Sequence, residues 1–170
     1  TYGYGSSTDR TQVGQGKLVT PSAIELTTAA PNATKVDFGF VKPASVGDYV
    51  WFDANKDGLQ DSDEPALPGI TATIVDASGN PVVDASGNPV AAVTTGADGK
   101  YTFENLLPGD YKVSFAAPAG YEATISGAGD DRGLDSNGAE ASVTLVQGQT
   151  DDTIDFGAVG TGVIGDQLFV

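Results

Sequence analysis

The sequence predicts an all-β sandwich with negligible helix, and three observations predict it. The chain has 170 residues with 23 glycines and 9 prolines, a content typical of a fold with many turns. Its apolar residues form short runs of Val, Ile, Tyr and Phe between turn clusters, as strands do. No window places apolar residues at the i, i+3, i+4, i+7 spacing of an amphipathic helix. The length allows one complete domain with some additional residues.

The strand positions follow from the turn clusters between the apolar runs. We expect strands near 46–52, 69–76, 90–95, 100–104, 110–115, 121–125, 140–146 and 152–158. Alternation with a period of two places Tyr101 and Phe103 on one face, and Tyr111, Val113 and Phe115 together on one face of the next strand. We interpret these side chains as sandwich core. A platform on which a ligand stacks is the alternative.

The charge and the missing residue types exclude several functions. The formal net charge is −15, from 23 acidic and 8 basic residues, so nucleic acids would be repelled and cations are the natural small partners. The chain has no Cys, His or Met, which excludes Cys/His nucleophile pairs and zinc sites of the Cys/His type. The acidic residues lie in turn motifs, so no catalytic set is visible and we expect no enzyme. No apolar run reaches 18 residues, so we expect no membrane insertion.

An internal repeat defines the domain organisation. Residues 36–52 align without a gap with residues 154–170, because Phe156 minus Phe38 and Asp166 minus Asp48 both equal 118. The repeat predicts one complete module at 43–158, the C-terminal part of a preceding module at 1–42, and the first strand of a following module at 159–170.

The two terminal segments raise the question of what they pair with. They either fold back within the chain, belong to a longer array, or complete a neighbouring copy. Our hypothesis is that 164–170, which copies the strand at 46–52, inserts into another subunit and gives head-to-tail growth by strand addition. The partners would then be neighbouring repeats or identical subunits.

A second duplication lies inside the complete module. Val-Asp-Ala-Ser-Gly-Asn-Pro-Val occurs at 75–82 and again at 83–90. Asp, Ser, Gly, Asn and Pro are turn residues. We expect this duplication to lengthen one hairpin loop rather than to form a site.

Residues 53–64 match the calcium-loop pattern D-x-[DN]-x-[DN]-G-x5-E without a mismatch. Hard oxygen donors recur at alternate positions, Gly58 permits the sharp turn, and Glu64 can close the site with both of its oxygens. The predicted ligands are Asp53, Asn55, Asp57, the carbonyl of Leu59, Asp61 and Glu64. The segment before the loop reads as a strand, which argues against a helical EF-hand sensor. The alternative is an acidic, solvated turn.

A second acidic cluster spans 129–138. Asp130, Asp131 and Asp135 are candidate ligands of a second calcium ion, although their spacing fits no single motif. The alternative is an Asx-turn loop in which Arg132 pairs with one of the carboxylates.

The motifs in chain order resemble the B-type repeats of serine-aspartate-repeat surface adhesins. The resemblance rests on Gly-Asp-Tyr-Val-Trp-Phe-Asp-x-Asn-x-Asp-Gly from Gly47, Pro68-Gly69-Ile70, and Asp-Gly-Lys-Tyr-Thr-Phe at 98–103. Leu-Pro-Gly-Asp-Tyr at 107–111 and Pro-Ala-Gly-Tyr at 118–121 are similar to the related collagen-binding-adhesin B fold.

This resemblance implies a prealbumin-like or inverse-immunoglobulin β-sandwich in a tandem array outside the cell, with Ca2+ bound at the loop at 53–64. Some relatives carry a Lys–Asn isopeptide bond, but the first strand here has no Lys and the last offers Asp152 and Asp155, so we expect no such bond. The expected function is a structural module of a surface stalk or fibre. The alternative is an adhesive module that binds a host protein or glycan.

Overall fold

The computed structural model describes residues 3–6 and 38–162. These residues form twelve strands and no helix, and none of them forms a helix that could span a membrane. In chain order the strands are β1 (Gly3–Ser6), β2 (Phe38–Val41), β3 (Ala44–Val46), β4 (Val50–Phe52), β5 (Thr71–Asp76), β6 (Val93–Thr94), β7 (Phe103–Leu106), β8 (Gly109–Ala116), β9 (Tyr121–Ala123), β10 (Glu140–Leu145), β11 (Thr150–Asp151) and β12 (Phe156–Gly160). The predicted all-β fold class is confirmed.

The strands are arranged in three sheets around one core, with a separate two-stranded sheet formed by β1 and β2. One sheet has the order β10-β8-β5-β6, and the other two have the orders β11-β3-β7 and β4-β12-β9. The pairs β11–β3 and β12–β4 are parallel. Strands β1 and β2 form a two-stranded antiparallel sheet.

Aromatic side chains fill the core between the sheets. Tyr101, Phe103, Tyr111 and Phe115 are all buried, as period-2 alternation predicted. The Phe115 ring of β8 stacks on the Phe156 ring of β12 at 5.0 Å and meets the Tyr101 ring edge-on at 5.2 Å. These contacts join the four-stranded sheet to the opposite layer. The core interpretation of the aromatic set is therefore confirmed.

Two of the predicted strands are broken in the structure. The run predicted at 46–52 divides into β3 and β4. The run predicted at 152–158 begins after β11 has ended at Asp151, and it becomes a strand only from Phe156, in β12. The two breaks lie side by side, because the Tyr49 carbonyl accepts a bond from the Phe156 amide at 3.1 Å and Gly47 N donates to the Asp151 carbonyl at 3.0 Å. Both segments leave one sheet and enter the next at this double break.

Other strands differ from the prediction only in extent. Strand β7 begins at Phe103 rather than at residue 100, because the turn through Gly99 (φ +74°) precedes it. Strand β6 contains two of the six residues predicted at 90–95, and β9 ends at Ala123. These differences lie where strands join loops, and there the pattern of apolar residues says little about the residue at which a strand begins or ends.

The duplicated octapeptide forms two turns of the same kind in succession. Asp76 Oδ1 accepts bonds from the amides of Ser78 and Asn80 at 2.9 and 2.8 Å. Asp84 Oδ1 accepts the equivalent bonds, from Ser86 and Asn88, at 2.8 and 2.9 Å. Each carboxylate thus closes an Asx-type turn, and the duplication lengthens the loop between β5 and β6 as predicted.

Candidate functional site

The first residue of the predicted metal loop is buried, and both of its carboxylate oxygens accept hydrogen bonds. Asp53 follows β4 directly and has no exposed surface. Its Oδ1 accepts a bond from the Lys56 amide at 2.6 Å, and its Oδ2 accepts one from the Gly58 amide at 2.9 Å. The Thr124 hydroxyl also donates to Oδ2. A buried carboxylate needs such donors to offset its lost hydration, so Asp53 ties the first half of the loop to the module.

The other side chains of the loop are exposed or half-buried and hold its ends together. The Asn55 amide Nδ2 donates to Asp57 Oδ2 at 3.0 Å and to Asp61 Oδ2 at 2.9 Å. Glu64 Oε1 accepts a bond from the Ala54 amide at 2.7 Å, and its Oε2 accepts one from the Asp61 amide at 3.3 Å. The loop therefore closes on itself from position 2, Ala54, to position 12, Glu64.

The donor chemistry of this loop suits a hard divalent cation, because carboxylate, amide and carbonyl oxygens are the ligands that calcium prefers. Two of the carboxylates, those of Asp57 and Asp61, meet at the Asn55 amide. Within residues 3–6 and 38–162, however, no three acidic side chains are gathered closely enough to form a metal site. Calcium binding at Asp53, Leu59 and the remaining ligand positions stays a prediction.

The second acidic loop lies directly against the first. Ser136 N donates to the Gly58 carbonyl at 3.0 Å, and Gln60 N donates to the Leu134 carbonyl at 2.8 Å. Leu59 and Asp135 face each other between these bonds as an antiparallel bridge. The structure therefore brings both predicted acidic loops together into one two-loop surface.

The three candidate ligands of the second loop have different environments. Asp131 Oδ1 accepts a bond from the Gly133 amide at 3.0 Å, which is an Asx-type turn. Asp130 is exposed, whereas Asp135 is buried. In the alternative to a second ion, Arg132 pairs with a carboxylate, but its Nη2 donates instead to the Ser142 carbonyl at 3.3 Å, and the salt bridge found among the described side chains is Lys112–Glu140. A second ion at Asp130, Asp131 and Asp135 stays a prediction.

A carboxyl pair that the sequence analysis did not single out lies at the double break. Asp155 has no exposed surface, and its Oδ1 accepts a bond from the Tyr49 amide at 3.2 Å. Its Oδ2 has no hydrogen-bond donor among the described residues. The negative charge of Asp48 disfavours the ionised form of Asp155. The two carboxyl groups therefore form an electrostatically coupled pair.

Burial is the main cause of the unusual titration of this pair. Together with the negative charges of Asp48, Asp135 and Asp152, it raises the pKa of Asp155 to about 8, although the bond from the Tyr49 amide acts in the opposite direction. Burial also raises the pKa of Asp48, as does the charge of Asp152. Because an uncompensated buried charge is costly, the neutral form of Asp155 is favoured at neutral pH.

Asn137 connects the carboxyl pair to the two-loop surface. Its side-chain oxygen accepts a bond from the Asp155 amide at 2.6 Å, and its Nδ2 donates to Asp135 Oδ1 at 3.3 Å. The neighbouring Ser136 hydroxyl accepts a bond from the Gly157 amide at 3.0 Å. The acidic loops and the last strand thus share one hydrogen-bonded network.

The internal repeat contained a signal for this pair. Asp48 belongs to a Gly-Asp dipeptide that recurs at Asp166, and Asp155 belongs to an Asp-Phe-Gly tripeptide that recurs at Asp37. A residue kept in both copies of a repeat is more informative than an isolated acid. No local sequence pattern indicates a role for Thr124, whose hydroxyl donates a hydrogen bond to Asp53, 71 residues away in the chain.

Comparison with known proteins identifies the family. A model of the SdrD B-like domain matches residues 44–158. The chain belongs to the SdrD B-like domain family. This SdrD B-like chain is 43% identical over 122 residues to serine-aspartate repeat-containing protein D of Staphylococcus aureus strain Newman, covering 71% of the chain and 9% of that protein. It is 35% identical over 156 residues to serine-aspartate repeat-containing protein F of Staphylococcus epidermidis, covering 91% of the chain and 8% of that protein.

Family membership confirms the resemblance drawn from the motifs. The chain is a B-repeat module homologous to domains of bacterial surface adhesins, which confirms the extracellular location expected from the sequence. It spans less than a tenth of the length of these relatives, 9% and 8% respectively. What each relative does as a whole protein is therefore not carried over to this SdrD B-like chain.

Solved pilin structures show a similar arrangement of strands. GBS52, the minor pilin of Streptococcus agalactiae, has a TM-score of 0.46 and 16% identity, over 78% of this chain and 50% of that one. BcpA, the major pilin subunit of Bacillus cereus, has a TM-score of 0.43 and 13% identity, over 71% of this chain and 30% of that one. A likeness of this extent concerns the fold, and no function follows from it.

Proposed function

We propose that this SdrD B-like chain is a structural module of a surface stalk or fibre, stiffened by calcium and joined to its neighbours by strand pairing. The observation that carries the proposal is the anchoring of the loop at 53–64. Its buried Asp53 bonds to Thr124, and its Gly58 carbonyl bonds to Ser136. An ion held in this loop would therefore restrain the loop itself, the segment around Thr124 and the segment around Ser136 at once.

Electrostatics explains why a cation stiffens such a module. The chain has a formal net charge of −15, and self-repulsion of this size opposes compaction. Calcium would be held by the side chains of Asp53, Asn55, Asp57, Asp61 and Glu64 and by the Leu59 carbonyl. The ion supplies two positive charges where the carboxylates of Asp57 and Asp61 approach the same Asn55 amide. Extracellular calcium modules bind in the range of about 10⁻⁴ to 10⁻³ M, which suits a constitutive structural role.

We expect calcium to raise the melting temperature relative to a chelator. At a free calcium concentration of about 100 times Kd, the ion adds about 2.7 kcal/mol to the free energy of unfolding, or about 5–10 °C for a chain of this size. The variants Asp61→Asn and Glu64→Gln each remove one ligand charge and should lose most of this increase. Differential scanning calorimetry in calcium and in EGTA measures it.

Asp63→Asn is the matched control for these variants. It removes the same charge from the same loop at an exposed position that the calcium pattern does not use. Its melting temperature should rise with calcium as in the unmodified chain. Equal melting temperatures with and without calcium in the unmodified chain would disprove the calcium mechanism.

The adhesive alternative needs a surface that recognises a host protein or glycan. The aromatic residues that would form a stacking platform are buried: Tyr101 and Phe103 are 4% and 1% exposed, and Tyr111 and Phe115 are each 7% exposed. This favours the structural function over an adhesive or catalytic one. In this proposal residues 43–158 are the complete module, 1–42 belong to a preceding one, and 159–170 begin the next.

A further inference from the structure

Strand β10 lies at one edge of the four-stranded sheet, and half of its backbone groups face away from its neighbour β8. The Phe115 amide donates to the Ala139 carbonyl at 2.9 Å, in the same antiparallel register that joins β8 to β10. Bonded and non-bonded positions alternate in such a pair, so the odd-numbered residues of β10 bond to β8. The outward amides and carbonyls belong to the even-numbered residues, which are Glu140, Ser142 and Thr144.

A groove of about 490 Å³ lies beside this outward edge. Residues 140–142 of β10 line one side of it, and residues of the loop at 126–137 line the other. The described part of the chain places no strand there, because β8 is the neighbour that β10 has in its sheet. An edge with unpaired amides and carbonyls is a template for pairing with another chain.

Arg132 covers part of this edge. Its side chain is exposed, and its Nη2 donates to the outward carbonyl of Ser142 at 3.3 Å. A single long hydrogen bond from an exposed side chain contributes little to stability. Among the described groups, the outward amides of Ser142 and Thr144 have no acceptor. Arg132 is therefore a cover that an incoming strand can displace.

The groove favours a cationic occupant. Its lining contains the carboxylates of Asp130, Asp135 and Glu140 together with Arg132. Asp135 is 6% exposed, and its Oδ1 accepts a bond from Asn137 at 3.3 Å, whereas no described group donates to its Oδ2. A buried carboxylate oxygen without a donor is costly, so a cation in the groove would be stabilised there.

We propose that this groove binds an extended segment of another protein that carries Lys or Arg at alternate positions. The segment displaces Arg132 and adds to β10 as a fifth strand, so that its backbone bonds to the outward groups of β10. Its basic side chains lie beside Glu140, whose contact with Lys112 is an exposed ion pair of 3.7 Å and is weak. This lateral binding surface goes beyond the proposed structural function and does not depend on it.

The chain itself does not supply such a segment. Its nearest basic residues in sequence, Arg10 and Lys17 or Lys35 and Lys42, are seven positions apart, whereas alternate positions on one face of a strand are two apart. A formal net charge of −15 also repels a second copy. The occupant is therefore a partner of opposite charge.

A labelled peptide, acetyl-Lys-Thr-Lys-Val-Lys-Thr-Lys-amide, tests this inference by fluorescence anisotropy in EGTA. Arg132→Ala should bind it about two- to tenfold more tightly, because the variant frees the Ser142 carbonyl and removes a positive charge from the groove. A gain in affinity cannot arise from misfolding. Equal affinity of Arg132→Ala and the unmodified chain would overturn the proposal.

Ser142→Pro tests the backbone contact, because it removes an outward amide that does not bond to β8. An edge strand tolerates proline at such a position, and urea unfolding confirms that the variant is folded. Its affinity should fall about tenfold, whereas Ser142→Ala, which keeps the amide, should bind like the unmodified chain. Equal affinities of two folded variants would contradict strand addition. If Ser142→Pro does not fold, Arg132→Ala and the peptide control decide.

The peptide control is acetyl-Lys-Pro-Lys-Pro-Lys-Pro-Lys-amide, which has the same charge but lacks three amides. It should not bind, and binding as tight as that of the first peptide would mean that the groove attracts charge alone. Calorimetry with calcium and sedimentation of Arg132→Ala test two other occupants. Tighter calcium binding without tighter peptide binding would make the groove a cation site, and a dimer of Arg132→Ala would make the occupant a second copy. Either result would overturn the proposal.

Discussion

Lowering the pH from 8 to 5 is expected to stabilise the module in the absence of calcium. Burial raises the pKa of Asp155 to about 8, compared with 3.8 for the unperturbed group. The folded state therefore binds one more proton than the unfolded state between these values, so stability falls as the pH rises through this window. At 1.36 kcal/mol per pH unit, the gain between pH 8 and pH 5 is up to about 4 kcal/mol. Urea unfolding in EGTA at each pH measures this gain in the free energy of unfolding.

Asp155→Asn identifies the group responsible for this pH dependence. The amide keeps the size of the carboxyl without carrying a charge that must be buried. At pH 8 this variant should be more stable than the unmodified chain by about 2–4 kcal/mol. At pH 5 the difference should be smaller, and it should vanish below about pH 3.8, where Asp155 is protonated in the folded and the unfolded chain alike.

Glu104→Gln is the control for the loss of one negative charge, since Glu104 is exposed on β7. It should leave the pH profile unchanged. Below about pH 4 the trend reverses, because hydrogen bonds from Asn80 and Asn88 lower the pKa of Asp76 and Asp84 respectively, and protonation then removes stability. A profile for Asp155→Asn that parallels the unmodified chain between pH 5 and 8 would show that Asp155 is not the group responsible.

How much of this architecture the sequence predicts depends on how local the interactions are. Period-2 alternation located β8 and β10, because one face of each strand is buried and the other is solvated. The Asx-type turns at Asp76 and Asp84 were predictable for the same reason, since each carboxylate bonds to amides two and four residues away.

The broken strands could not be predicted from local pattern. The segment 46–52 reads as one continuous strand, but a change of sheet between Val46 and Val50 is fixed by Asp155, which bonds to the Tyr49 amide 106 residues away. Gly47 also permits this break, because a Cβ there would lie 2.2 Å from the Tyr101 carbonyl oxygen. Sequence pattern contains no information on such a contact until the topology is known.

The candidate site was likewise predictable only where its interactions are local. The calcium pattern gave the bounds of the first loop, because ligand spacing within a single turn is a local property. The docking of that loop against Ser136 and Thr124 depends on strands far away in the chain. The acids of the second loop fit no single motif, so their position against the first loop could not be predicted. The alternative in which Arg132 pairs with one of these carboxylates is not found, because Arg132 bonds to the Ser142 carbonyl.

Gly58→Ala is expected to be among the most damaging single substitutions in the module. Gly58 has φ +81°, and a Cβ would lie 2.5 Å from the Ile125 carbonyl oxygen and 2.9 Å from the Ala128 Cβ. The left-handed conformation alone costs a non-glycine residue about 1–2 kcal/mol, and overpacking adds about 1–3 kcal/mol. We expect a total loss of about 2–5 kcal/mol in urea unfolding. The binding heat of calcium should disappear with it, because the loop must move away from Ser136.

Gly69→Ala separates the two contributions to this loss. Gly69 has the same φ of +81°, but no atom lies within 4 Å of the position that a Cβ would occupy there. Its substitution should therefore cost about 1–2 kcal/mol from backbone strain alone, and the binding heat of calcium should remain. Equal losses in the two variants would mean that the loop does not press against Ile125. The coupling between the loop at 53–64 and the rest of the module, on which the proposed stiffening depends, would then be absent.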